Sequence, residues 1–101
     1  MKVITRYSVA YCDTPDLSTQ YGTWGNCWNT KEEVRHFINR SWHIIKNYNK
    51  ESFMLDSNDW LVIEPVQFAQ YNIFERLFLH KSKEERITPI ATQGSFFHIL
   101  T

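Results

Sequence analysis

Glycine, proline and cysteine are scarce in this chain, no apolar run is long, and the charges cancel. Each shortage closes off a class of protein. Three glycines in 101 residues are too few for a glycine-rich phosphate loop. Two cysteines are not a disulfide scaffold, so Cys12 and Cys27 are expected as reduced thiols. The longest apolar runs, such as Leu61-Val62-Ile63, fall far short of a bilayer-spanning segment, and no membrane partner is expected. The start, Met1-Lys2-Val3-Ile4-Thr5-Arg6, meets a charge before an export signal can form, so the expected location is cytoplasmic. Eleven basic residues balance eleven acidic ones, which removes any whole-molecule pull on polyanions. Anion binding, if present, has to come from local segregation of charge.

What the chain does have is bulk. Its apolar fraction is 43% and its aromatic fraction 16%, with tryptophans at 24, 28, 42 and 60. Such a composition excludes disorder, and 101 residues are enough for one core without metal or disulfide staples. A single domain over 1–101 is expected. Asn, Lys, Ile, Tyr and Phe together make 34 residues, against 14 for Gly, Ala, Arg and Pro. The first set has AT-rich codons, which points to a low-GC genome such as that of a bacterium, its phage or a plasmid.

Val3, Thr5, Tyr7, Val9 and Tyr11 alternate along residues 2–12 and predict a strand, stopped by Asp13-Thr14-Pro15-Asp16. Residues 17–29 predict an ordered loop that displays Tyr21, Trp24 and Trp28 and leaves room for a short strand. Thr30-Lys31-Glu32-Glu33 has the form of a capping box. The apolar positions 34, 37, 38, 42, 45 and 48 then predict a helix over 31–48, with Asn49 as a left-handed cap. Phe53-Met54-Leu55 and Trp60-Leu61-Val62-Ile63 predict a hairpin on the turn Asp56–Asp59. Beyond Pro65 the expectation is a short helix over 66–74. A second hairpin should follow, with Leu77-Phe78-Leu79 and Ile87-Thr88-Pro89-Ile90 flanking the charged turn Lys81 to Arg86. Phe96 to Leu100 reads as a last strand or docked tail. The fold class is therefore α+β, with a mixed or antiparallel sheet of four to five strands and one long capped helix on one face.

Catalytic patterns are thin. Gly25-Asn26-Cys27-Trp28 ahead of a helix, with His80 and His98 downstream, resembles cysteine hydrolases of the papain and cell-wall-peptidase type. These carry the nucleophile at a helix N-terminus, where the dipole lowers the thiol pKa. Here Cys27 lies three residues before the cap, and no Asn or Asp stands near either histidine in sequence. The competing reading is a half-buried free cysteine in an aromatic loop. His36 and His43 are seven residues apart, two helical turns, which does not suit one metal. Asp13/Asp16 and Asp56/Asp59 are explained as turn residues. No catalytic residue, metal or cofactor is expected.

The outer face of the predicted helix is the stronger lead. Arg35, His36, Asn39, Arg40, His43, Lys46, Asn47 and Lys50 fall away from its apolar stripe, with no acid between the capping glutamates and Glu51. Trp24 and Trp28 stand beside it in sequence. Aromatics and arginines anchor protein interfaces and also stack on single-stranded nucleic acid. The bland alternatives are a solvated helix face and two tryptophans that lid the core. The expectation is a non-catalytic protein that occupies a macromolecular partner's surface, a protein or ribonucleoprotein. A small phage or mobile-element inhibitor of the anti-CRISPR or other anti-defence type fits this size and composition. A nucleic-acid-binding regulator using the same face is the alternative, and a hydrolase centred on Cys27 comes after it. Oligomeric state is left open.

Overall fold

Period-two alternation from Val3 to Tyr11 produces the strand it predicts, β1 (Lys2–Cys12), in a computed structural model that describes residues 1–87. The other elements are β2 (Gln20–Thr23), α1 (Lys31–Ser41), β3 (Ile44–Asn49), β4 (Ser52–Leu55), β5 (Trp60–Gln70), α2 (Ile73–Phe78) and β6 (Glu84–Arg86). A single turn of 3-10 helix, Leu17–Thr19, precedes β2. The fold is α+β. Its antiparallel sheet runs β2-β1-β5-β4-β3, with β6 on β5.

The long pair β1 and β5 is in register from Lys2↔Gln70 to Cys12↔Trp60. Val9 and Ile63 therefore lie side by side on one face, and Ala10 and Val62 on the other. The first face joins the main buried cluster: Val9, Leu61, Ile63 and Phe53 from the sheet with Val34 and Ile38 from α1. The second face carries a smaller cluster of Ala10, Cys12 and Val62, with Leu17 and Trp60 against it.

Four local expectations are overturned. The helix predicted over 31–48 stops at Ser41, and Trp42 is already extended at φ −130° and ψ 153°. Ile44 and Ile45 are β-branched and favour strand, and Ile44 joins the core cluster. Ile45 and Tyr48, needed for the helical stripe, are 51% and 66% exposed. Asn49 is consequently no helix cap. Its side-chain oxygen accepts from the Glu51 amide at 2.7 Å and shapes the β3–β4 turn.

The helix predicted over 66–74 is instead the continuation of β5 through Pro65. Proline is tolerated there because of its place in the ladder. Tyr7, its partner on β1, exchanges both backbone hydrogen bonds with Trp28 on the far side, so Tyr7–Pro65 is a non-hydrogen-bonded pair. The missing N–H faces the other edge of β5. There the β4 ladder stops at Ser52↔Val62, Ile63 N–H bonds the Glu51 carbonyl in the turn before β4, and the next contact begins only where Ile87 N–H meets Gln67 O. Proline fills a gap between two short strands.

The second hairpin is absent as drawn. Leu77 and Phe78 lie in α2, and β6 pairs with β5. A full capping box fixes the start of α2: the Glu75 amide donates to Asn72 Oδ1, and the Asn72 amide donates to Glu75 Oε1. Residues 88–101, including the expected last strand, lie outside the described residues.

The hairpin on Asp56–Asp59 forms as expected, with Asn58 in the left-handed region at φ 67°, a conformation asparagine tolerates. Thr30 caps α1 by accepting from the Glu33 amide at 3.2 Å, but the return contact differs from the predicted box. The Glu33 carboxylate receives the Thr30 hydroxyl, not the Thr30 amide. Thr30→Ala should cost about 1 kcal/mol. An unchanged urea midpoint would show that the hydroxyl is not needed to start the helix.

Candidate functional site

The loop leading into α1 is tied to the sheet. Trp24 N–H donates to Val9 O, Tyr7 and Trp28 exchange backbone bonds, and the buried Ser8 hydroxyl lies 2.9 and 2.7 Å from the carbonyls of Trp24 and Asn26. This fixes both tryptophans over the core. Trp24 meets Phe37 at 5.9 Å and Trp42 edge-on at 5.5 Å, and Trp28 meets Phe37 at 4.6 Å. Trp24 is thus a core lid. Trp28 has a second contact surface.

That surface is an open cavity of about 630 Å³ lined by Trp28, Glu33, His36, Asn39 and Arg40. Positions 33, 36 and 40 follow helical spacing, so α1 lines up a carboxylate, an imidazole and a guanidinium beside an indole. Glu33 is the residue that sequence reasoning missed, because its capping role had accounted for it.

The remaining predicted site residues are dispersed by the early end of α1. His43 lies between α1 and β3, Lys46 and Asn47 are on the edge strand β3, and Lys50 is in the following turn. The acids that bound the strip, Glu32 and Glu51, reach into it. Arg35 pairs with Glu32, and His36 Nε2 lies 3.7 Å from the same carboxylate. Lys31 pairs with Glu51. The hydrogen bond from Arg35 holds the Glu32 carboxyl below its usual range. Arg40 is exposed, and no carboxylate among the described residues pairs with it.

Cys27 is half-buried, and its Sγ lies 3.7 Å from the Arg86 guanidinium. His80 follows α2, exposed and in the left-handed region at φ 54°. His98 lies outside the described residues. Cys12 is fully buried, and burial, followed by the charges of Glu64, Asp16 and Asp13, pushes its thiol up to about 12. In the folded protein Cys27 should therefore react with a thiol reagent at pH 8 roughly a hundredfold or more faster than Cys12. Both should react in denaturant. Equal native rates would contradict the burial of Cys12.

Beside Cys27, Arg6 donates to Glu84 through both terminal nitrogens at 2.5 and 2.6 Å and to Asn29 Oδ1 through Nε at 3.1 Å. Its guanidinium also stands 5.2 Å from the Phe68 ring centre. Hydrogen bonds from Arg6 and then Gln70 hold the Glu84 carboxyl down at about 2. An unfolded glutamate titrates near ~4.3. The stability contributed by this lowered pKa is complete above that value and is lost as pH falls towards 2. Wild type should therefore be more stable than Glu84→Gln at pH 7, with the gap closing by pH 2. A gap that persists at pH 2 would mean that charge is not its source.

Among the described residues no three His, Cys, Asp or Glu side chains gather as metal ligands, and no helix is long and apolar enough to cross a membrane. Comparison with protein-family models, with curated proteins and with solved structures finds no match to this chain.

Proposed function

We propose that this chain is a non-catalytic binding protein that occupies a macromolecular partner's surface, with the outer face of α1 as its contact. The observation that carries this reading is the cavity where Trp28 meets His36, Asn39, Arg40 and Glu33. An indole, a guanidinium and an amide at one concavity are the groups that anchor protein interfaces. Glu33 in its lining and the Glu32–Arg35 pair favour a protein surface over a phosphate backbone, which a carboxylate repels. The abundance of residues with AT-rich codons supports an inhibitor of phage or mobile-element origin, of the anti-CRISPR or other anti-defence type, acting in the host cytoplasm on a protein or ribonucleoprotein.

The test is a paired capture from a low-GC bacterial lysate, with wild type and Arg40→Glu as baits. A protein held by wild type and lost from the variant supports the reading. Equal capture by both removes the α1 face. Tight binding of a single-stranded oligonucleotide that weakens steeply with salt would assign this face to nucleic acid instead.

A further inference from the structure

The helix α2 buries none of its residues. Ile73, Phe74, Leu77, Phe78 and the adjoining Leu79 are 58 to 70% exposed. The Phe74 and Phe78 rings stack at 5.8 Å and 19°, one turn apart. Six residues are too few for a helix to persist alone, and here polar anchors hold it. These are the Asn72–Glu75 box and the N-terminal ammonium, which meets Glu75 at 2.8 Å. Anchors place the helix, and its apolar side chains are mostly exposed.

We propose that this knob is the contact of a homodimer, a second copy of the chain seated on it about a two-fold axis. The area is adequate. Five side chains at these exposures present on the order of 700 Å² of apolar surface, more than the ~300–600 Å² of a typical monomer's largest patch. It approaches the ~800 Å² per partner of a standard interface, and homodimer contacts are the more apolar kind. The charge pattern is compatible with a second copy. Arg76, Lys81, Lys83 and Glu85, all exposed, follow or interrupt the apolar residues along the same stretch of chain. An acidic or a basic partner calls for a rim of one sign. A surface that meets its own copy after half a turn can pair both signs across the axis. The contact is separate from the α1 face, so neither proposal depends on the other.

Sedimentation equilibrium of the full chain over a range of concentrations tests the assignment. Wild type should reach twice the 12.1 kDa chain mass. Leu77→Glu and Phe78→Glu should each raise the dissociation constant roughly 30-fold or more with unchanged circular dichroism, since both positions are exposed. Arg40→Glu should remain dimeric. A wild type that is monomeric at hundreds of micromolar overturns the proposal. So does a dimer indifferent to both α2 substitutions. In the monomeric case, flotation with anionic vesicles would give the knob to a lipid surface. Failure to bind an apolar dye would mean that the rest of the chain covers it.

Discussion

Phe53→Ala should lower the free energy of unfolding by about 3–5 kcal/mol, the usual cost of removing a buried phenylalanine. Phe53 is 1% exposed and is the largest fully buried side chain among the described residues. It sits on β4 opposite Leu61 of β5 and Asn47 of β3, and it belongs to the cluster that contains Val34 and Ile38 of α1. Truncation therefore removes contacts with several elements at once. Neighbours on paired strands have little freedom to close the hole, so the cavity adds to the lost transfer energy. Domains of this kind hold about 5–15 kcal/mol in total, so the variant would stand near the limit of folding. Ile45→Ala on the exposed face of the same hairpin should change stability by about half a kcal/mol or less. Urea denaturation of both variants checks the contrast. Similar small losses in the two would mean that the cluster is not the centre of the core.

Arg40→Glu should weaken binding of the captured partner by on the order of 2 kcal/mol or more while leaving the fold intact. The position suits the experiment because of what surrounds it. Arg40 is exposed in the last turn of α1, lines the cavity, and has no carboxylate partner among the described residues. Its reversal breaks no ion pair among the described residues, although a negative charge near the helix C-terminus costs a few tenths of a kcal/mol. Arg35→Glu would be a poor probe. Arg35 pairs with Glu32 and reaches the Lys50 carbonyl at 3.4 Å, so reversal there sets two carboxylates together and disturbs the helix. His36→Ala should act in the same direction as Arg40→Glu, and Lys46→Glu, on β3, tests how far the contact extends. Calorimetry against the purified partner settles it. Unchanged affinity for all three would move the search to other surfaces.

Much of the fold was legible in the residues. The alternation of β1, the Asp56–Asp59 turn and the Thr30 cap are local signals, and each produced its element. Failures arose where a local signal had two continuations. Ile45 and Tyr48 keep the helical spacing of Phe37 and Ile38, yet they also lie in a β-branched stretch whose pairing with β4 is decided by the sheet. Pro65 reads as a helix start or strand end until its place between β4 and β6 is known. Among the predicted site residues, His36, Asn39 and Arg40 line one cavity because helical periodicity holds up to Ser41. His43, Lys46 and Lys50 were grouped with them on turns of helix that do not exist. Trp24 was indistinguishable from Trp28 in sequence, since both are indoles in one loop. Only the ladder against β1 shows which of the two also reaches the cavity.

The pairing of β1 with β5 also bears on how the chain is made. Every hydrogen-bonded neighbour of β5 on β1 is distant, from Cys12 with Trp60 out to Lys2 with Gln70, whereas β3, β4 and β5 are joined by short turns. Contacts between distant segments form late, because the intervening loop must close before they contribute. A ribosome releases β1 long before its central partner exists. During that interval Tyr7, Val9 and Tyr11 have only the β2 loop beside them, as a two-stranded edge of marginal stability. The nascent protein is thus most open to aggregation until β5, Trp60–Gln70, has been made. The arrival of β5 gives β1 its central partner, and β6 joins β5 afterwards.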